Sequence, residues 1–243
     1  MKSRINFNEL NRHERDRRLQ FIPGPHIYLL DNCPLTISVS TFVKLFFTPF
    51  EAELWASIKA PSLGMAESDV IKMWKRKGED AAMLGIELHT EIENFLISKN
   101  DNSKEPEFQQ FLNLYNMNLV ELTPYRSEWS IFDENFNLTG TTDIVFKKPD
   151  GSFSIYDWKR SKEIRKENRF SRGLGPCSYL PDCNYIHYSL QLNIYRRILI
   201  KCYSINITEM NFVQLHPSLS KYRIFQVPDL SEYVEPMLLY LLE

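Results

Sequence analysis

The four residues Lys148-Pro149-Asp150-Gly151 constrain this chain more than any other stretch, because they set the register of everything on either side of them. Proline presets the backbone at the first central position of a turn, and glycine accepts the left-handed conformation that closes it. A three-residue hairpin turn, type I followed by a glycine bulge, pairs Lys148 with Ser152, and every further cross-strand pair follows. Asp143 then falls opposite Asp157. Opposed residues in an antiparallel pair have Cβ atoms about 4.5–5.5 Å apart, and side chains return to the same face every second residue, so Lys159 joins Asp157 there. Two carboxylates held side by side repel, and a divalent oxygen-seeking cation is the usual relief. Val145, Phe153 and Ile155 share this face, while Ile144, Phe146, Tyr156 and Trp158 make the other face equally apolar. A strand pair buried on both faces predicts a layered α/β domain; a solvent-facing hairpin with chance charges is the competing reading.

Around the hairpin the pattern predicts three strands, at about 119–132, 137–147 and 152–159, then a charged Gly/Pro-containing loop over 160–184 and a helix at about 185–203. Strands near 207–215 and 222–227 and a helix near 231–242 follow. Upstream the chain reads as helical: 49–60, 67–98 with a break near Lys77-Gly78, and 106–117. A short helix from Thr41 to Phe47 takes Ser40 as its cap, the segment from His26 to Val39 is β-rich, and residues 2–20 form a charged helix or loosely held arm. The expected architecture is a central mixed β-sheet flanked by helices, with an arm and helical lobe over 1–118 and the core over 119–243.

Apolar residues at 43% and charged residues at 25% are those of a soluble globular protein, and 243 residues can bury a sizeable core. The net charge of −2 advertises no polyanion partner, so nucleic-acid binding must rest on local patches. No apolar run reaches the about 20 residues needed to span a bilayer, and the N-terminus lacks a signal core. Cys33, Cys177, Cys183 and Cys202 form no C-x-x-C pair, so free thiols in a reducing, intracellular compartment are expected; a cluster gathered from distant cysteines stays open.

Other residues carry candidate chemistry. His89 borders the apolar stripe Leu88, Ile92 and Leu96; a histidine in that position is more often a satisfied structural residue than a metal ligand. Gly85, one turn earlier, would admit another backbone, and Glu93, one turn later, could join or orient His89. Gln191 and Tyr195 share a helix face beside the apolar face of Leu190, Ile194 and Ile198, suited to steadying a lysine or a phosphate, or to capping a neighbouring element. The loop after Lys159 carries Arg160, Lys162, Arg165, Lys166, Arg169 and Arg172 against Glu163 and Glu167, where backbone phosphates would be gripped. Tyr179, Tyr185 and Tyr188 could stack bases there.

In this order the motifs resemble the PD-(D/E)xK nuclease superfamily, in its RecB-like branch of mitochondrial, viral and phage nucleases. Gly85 to Glu93 resembles the G-x-x-x-H helix, Gly140-Thr141-Thr142-Asp143 the G-x-x-D motif, Ile155 to Lys159 the D-x-K strand, and Gln191 to Tyr195 the Q-x-x-x-Y helix. The likeness covers residues 85–200. It implies a restriction-endonuclease-like core in which His89, Asp143 and Asp157, with the Trp158 carbonyl, hold Mg²⁺ or Mn²⁺, while Lys159, Gln191 and Tyr195 serve the chemistry. Glu128 matches a glutamate often found before G-x-x-D. Some relatives hold an iron–sulfur cluster with one early and three late cysteines; Cys177 and Cys183 precede the Q-x-x-x-Y helix here, so no cluster is expected. The resemblance implies a deoxyribonuclease, by analogy an exonuclease on single-stranded or end-exposed DNA in replication, repair or recombination. An RNA endonuclease of the cap-snatching type and an inactive nucleic-acid-binding module are the alternatives.

Overall fold

The turn closes as its residues dictate. In a computed structural model that describes residues 6–22, 27–34 and 37–242, Gly151 N–H donates to Lys148 O at 3.0 Å and Lys148 N–H to Ser152 O at 2.8 Å. Gly151 has a φ of 85°, the left-handed conformation that the turn requires.

The elements run α1 (Phe7–Leu10), β1 (Leu19–Ile22), β2 (Ile27–Leu30), β3 (Cys33–Pro34), β4 (Ile37–Ser38), α2 (Val39–Lys44), α3 (Ala52–Leu63), α4 (Glu67–Ser98) and α5 (Pro106–Leu114). They continue β5 (Thr123–Asp133), β6 (Leu138–Lys147), β7 (Phe153–Arg160), α6 (Asn184–Tyr203), β8 (Ile207–Leu215), β9 (Arg223–Gln226) and α7 (Ser231–Leu239). The result is a central mixed sheet flanked by helices, with a small antiparallel sheet β1-β2-β3 beside it. In the main sheet β5, β6 and β7 are antiparallel neighbours, β8 runs parallel to β7, and β9 closes the far edge.

Both faces of the hairpin are covered. Val145 and Ile155 join the large core built with α2, α6 and α7, whereas Ile144, Phe146, Tyr156 and Trp158 pack with Leu88, Ile92, Phe108 and Phe111 of α4 and α5. A solvent-facing hairpin is therefore excluded.

The N-terminal third departs from expectation. The described part of the 2–20 segment is a single turn of α-helix, a 3-10 turn over Glu14–Arg18 and the start of β1, not one charged helix. Arg126 Nη1 donates to Asp16 Oδ2 at 2.6 Å, and Trp129 Nε1 to Asp16 Oδ1 at 2.9 Å, so β5 fastens this stretch. The expected arm residues 2–5, and His26, Leu35 and Thr36 of the β-rich stretch, lie outside the described residues. Ser38, not Ser40, caps α2, accepting from Thr41 N–H at 3.2 Å. α4 runs unbroken through Gly78; one glycine costs a helix about 1 kcal/mol, too little to interrupt 32 residues. Among the described residues, no helix is long and apolar enough to cross a membrane.

Candidate metal centre

The centre forms where the sheet forks. β5 occupies one edge of β6 from Lys147 to Leu138, so β7 and β4 must share the other. β7 takes the end from Lys147 to Ile144, and β4 pairs with Leu138 and Thr139. Every observed β6–β7 pair obeys the turn arithmetic, including Val145 with Ile155 and Ile144 with Tyr156, and the ladder ends there, one step before Asp143 and Asp157.

The fork leaves the backbone of Trp158 without the partner that a continued ladder would give it. By antiparallel alternation both its groups would have met Thr142. Instead Trp158 N–H donates to Asp143 Oδ2 at 2.6 Å, and its carbonyl lies 2.9 Å from His89 Nε2. Two side chains of the candidate site thus replace the two ladder bonds that Trp158 loses at the fork.

β5 contributes the next residue. Glu128 lies across from Asp143 in the β5–β6 register, between the pairs Ser127–Ile144 and Trp129–Thr142, but its φ of 43° takes it out of the extended conformation. A left-handed residue within a strand is strained unless it is glycine, and such strain concentrates at functional sites. Asn8 of α1 supports the distortion by accepting from Ser127 N–H at 2.8 Å. The kink brings the Glu128 carboxylate to 3.6 Å from His89 Nδ1, the same distance that separates His89 from Asp143.

His89, Glu128 and Asp143 each offer a ligand atom within 4.8 Å of the others. Asp157 stands beside them, ion-paired to Lys159 with Oδ2 2.6 Å from Nζ. That oxygen is buried, and the Lys159 ammonium is the positive group beside it. Burial and the Asp143 charge push the Asp157 carboxyl up to about 6, against the pull of Lys159 and His89. Burial pushes Asp143 up as well, with His89 opposing. Burial alone would lower His89, but Asp143, Glu128 and Asp157 outweigh it and raise the imidazole to about 9. These shifts describe carboxylates crowded together and short of positive charge. Three carboxylates face one lysine once His89 gives up its proton, an imbalance of charge that a metal ion could relieve. His89, Glu128 and Asp143 thus offer one imidazole nitrogen and carboxylate oxygens as a donor set for a metal ion.

Lys159 is held from three sides. Its Nζ donates to Gln191 Oε1 at 3.3 Å and lies 4.7 Å over the ring of Tyr188. Gln191 Nε2 then donates to the Tyr195 hydroxyl at 2.9 Å. Burial pulls the ammonium down, yet Asp157 and Asp143 hold it above the usual lysine range, so it is charged at neutral pH. Gln191 and Tyr195 do share a face of α6, and Leu190, Ile194 and Ile198 are buried beside it.

Other expected residues take different places. Nothing lies within 4 Å of a Cβ built on Gly85, so this glycine admits no neighbouring backbone; it lines a groove of about 330 Å³ with Ala82, Ile86, His89, Trp158, Lys159, Arg160 and Tyr188. Glu93 accepts from Ser127 Oγ at 2.7 Å, tying α4 to β5, and does not orient His89. Arg160 Nε donates to Glu107 Oε1 at 2.6 Å, and the two side chains are only 12% and 8% exposed. Arg165 pairs with Glu163 at 2.8 Å, Lys166 lies 5.1 Å over Tyr185, and Lys162 is exposed. Tyr185 packs edge-on to Phe212 with its hydroxyl on Gln226 O, so of the three tyrosines only Tyr179 stands clear. One neighbour carried no sequence signal: Tyr28, from the small sheet, brings its hydroxyl 2.9 Å from Thr141 Oγ1 of the G-x-x-D stretch.

No protein-family model matches this chain, and no curated protein matches it. Among solved structures it is similar to a protein of Eubacterium rectale named as a putative exonuclease, at 12% identity over 85% of this chain and 77% of that one, with a TM-score of 0.39. It is also similar to SSO0001, at 14% identity over 85% and 76% of the two chains, with a TM-score of 0.36. The functional reading rests on the geometry of the fork.

Proposed function

We propose that this protein is a metal-dependent nuclease that hydrolyses DNA phosphodiester bonds, an exonuclease acting on single-stranded or end-exposed DNA. One observation carries the reading: His89, Glu128 and Asp143 converge beside the Asp157–Lys159 pair at the mouth of an open groove. A site for Mg²⁺ or Mn²⁺ would be built from His89, Asp143 and Asp157, with Glu128 and the Trp158 carbonyl adjoining. The ion, when bound, polarises a phosphate and lowers the pKa of water. Lys159, being charged, neutralises the negative charge that builds on the phosphoryl oxygens and orients the attacking water by hydrogen bonding. Gln191 presents its carbonyl oxygen to the ammonium and its amide to Tyr195, so the lysine is positioned before substrate arrives. End dependence draws on α4, which lines the groove along one side and could guide a strand along it.

Digestion of end-labelled linear and closed circular DNA, single- and double-stranded, with matched RNA alongside, tests this reading. Mg²⁺-dependent loss of linear DNA with both circles intact is the expected result. Near wild-type cleavage by Asp157→Ala or Lys159→Ala would overturn it, and cleavage of RNA in preference to DNA would move the substrate assignment.

A further inference from the structure

The segment between β7 and α6 is an ordered loop that holds an aromatic ring in water. Phe170 is 100% exposed and Tyr179 is 82% exposed. An exposed phenylalanine on a mobile loop means little, but this loop is fastened at every stage. Asn168 Oδ1 accepts from the backbone N–H of Phe170 and Ser171 at 3.0 and 3.1 Å, and Asn168 Nδ2 donates to Asp182 O at 2.7 Å. Ser171 Oγ donates to Asp182 Oδ2, whose other oxygen lies 2.9 Å from His187 Nε2 on α6. Gly173 N–H donates to Leu180 O, and Leu174 N–H to Phe46 O at 2.8 Å, joining the loop to the end of α2. Gly173 is needed there, because a Cβ would lie 2.5 Å from Cys177 O.

A rigid loop that leaves a large apolar ring outside the core presents it to a partner. Chemistry selects the partner. Lys162, Lys166, Arg169 and Arg172 are exposed on the same loop, against Glu167 and against Glu163, which Arg165 neutralises. Exposed aromatic rings among basic side chains match a single nucleic-acid strand, whose unstacked bases offer flat faces and whose phosphates offer charge. A duplex keeps its bases stacked, and an acidic peptide gives the rings nothing to stack on. Phe170, Arg165, Arg169, Asn184 and His187 line one groove of about 730 Å³ together with Glu163, Glu167 and Asp182, of which Glu163 is paired to Arg165 and Asp182 to His187. His187 lies one turn before Gln191 on α6, about 6 Å along the helix axis from the residue that holds Lys159.

We propose that the loop from Ser161 to Asp182 is a stacking platform for single-stranded DNA, with Phe170 as its principal base contact and Tyr179 as a second. It rests on the nuclease reading of the centre and adds the substrate form: several unpaired nucleotides beyond the scissile bond, recognised through bases without sequence preference.

The test measures fluorescence anisotropy in EDTA with three probes: an oligothymidine of about twelve nucleotides, a strand of equal length and charge without bases, and a duplex. Wild-type protein should bind the oligothymidine best. Phe170→Ala should weaken that binding about tenfold, Phe170→Trp should restore it, and Phe170→Ala should leave the baseless strand unaffected. Unchanged binding of the oligothymidine by Phe170→Ala, or equal losses on the baseless strand, overturns the platform. A parallel Mg²⁺ digestion separates the two readings. Wild-type cleavage with no effect of Phe170→Ala on binding removes the platform and spares the nuclease, whereas a wild type that neither binds nor cleaves removes both.

Discussion

The ring of Tyr195 occupies the space that a side chain at position 140 would need: a Cβ on Gly140 would lie 2.5 Å from Tyr195 Cε1 and 3.0 Å from its hydroxyl. The glycine of the G-x-x-D stretch and the tyrosine of the Q-x-x-x-Y stretch are thus two halves of one contact. Through Gln191 that contact sets the position of Lys159. Gly140→Ala should cost about 1–3 kcal/mol of stability by overpacking and reduce phosphodiester cleavage about tenfold or more. The loss of stability should persist in a Tyr195→Phe background, where Cε1 remains, and disappear in Tyr195→Ala. Urea unfolding of the two double variants measures it.

Arg160 follows the candidate catalytic lysine directly, yet it is part of the fold's support. Its guanidinium meets Glu107 of α5 with both side chains nearly enclosed. Removing one partner of such a pair strands the other charge, at a cost of about 3–5 kcal/mol. Arg160→Ala should therefore unfold at lower denaturant, with Arg160→Ala/Glu107→Ala recovering part of the loss. DNA affinity of the folded fraction should change less than about twofold, since the guanidinium is already engaged; a large drop in affinity at unaltered stability would return Arg160 to the phosphate-binding set.

What the sequence revealed and what it hid divide along a physical line. The Pro-Asp-Gly turn is local chemistry, so its register, the two buried faces and the bounds of β8 at 207–215 follow from the residues themselves. The alignment of Gln191 with Tyr195 is helical periodicity and equally legible. The fork is not, because it arises from competition between β4 and β7 for one edge of β6. Arg160 illustrates the same limit: a basic residue in a charged run looks solvated until α5, far upstream in the chain, delivers Glu107. Glu128 was visible as a candidate but its left-handed backbone was not, since no glycine marks the position.

That backbone makes Glu128 separable into two effects. Its carboxylate stands with His89 and Asp143, while its φ of 43° imposes strain of about 1–2 kcal/mol on any residue with a Cβ. Glu128→Ala and Glu128→Gly both remove the carboxylate, so both should weaken Mn²⁺ binding and cleavage by about tenfold or more. They should differ in stability: the glycine variant should be more stable than the alanine variant by about 0.5–1 kcal/mol, after allowing for glycine's greater unfolded-state entropy. Equal stabilities would mean that β5 relaxes to an extended conformation once the carboxylate is gone.

His89 joins the centre's charge to pH. Its imidazole is raised to about 9 by the surrounding carboxylates, so folding of the metal-free protein gains from its protonation. The sign follows from linkage: the gain is complete below the unfolded value of about 6.5 and is lost as pH rises through 9, an effect of about 1–3 kcal/mol. Metal binding runs the other way. A histidine must shed its proton to become a ligand, and Asp157, raised to about 6, competes for protons at lower pH. Affinity for Mn²⁺ should therefore climb from pH 6 to pH 9 while metal-free stability declines. Calorimetry at pH 7 in two buffers of different ionisation enthalpy should show about one proton released per ion bound. In His89→Gln the release should vanish and the fall in metal-free stability towards pH 9 should flatten; an unchanged release would mean that the displaced proton belongs to another group.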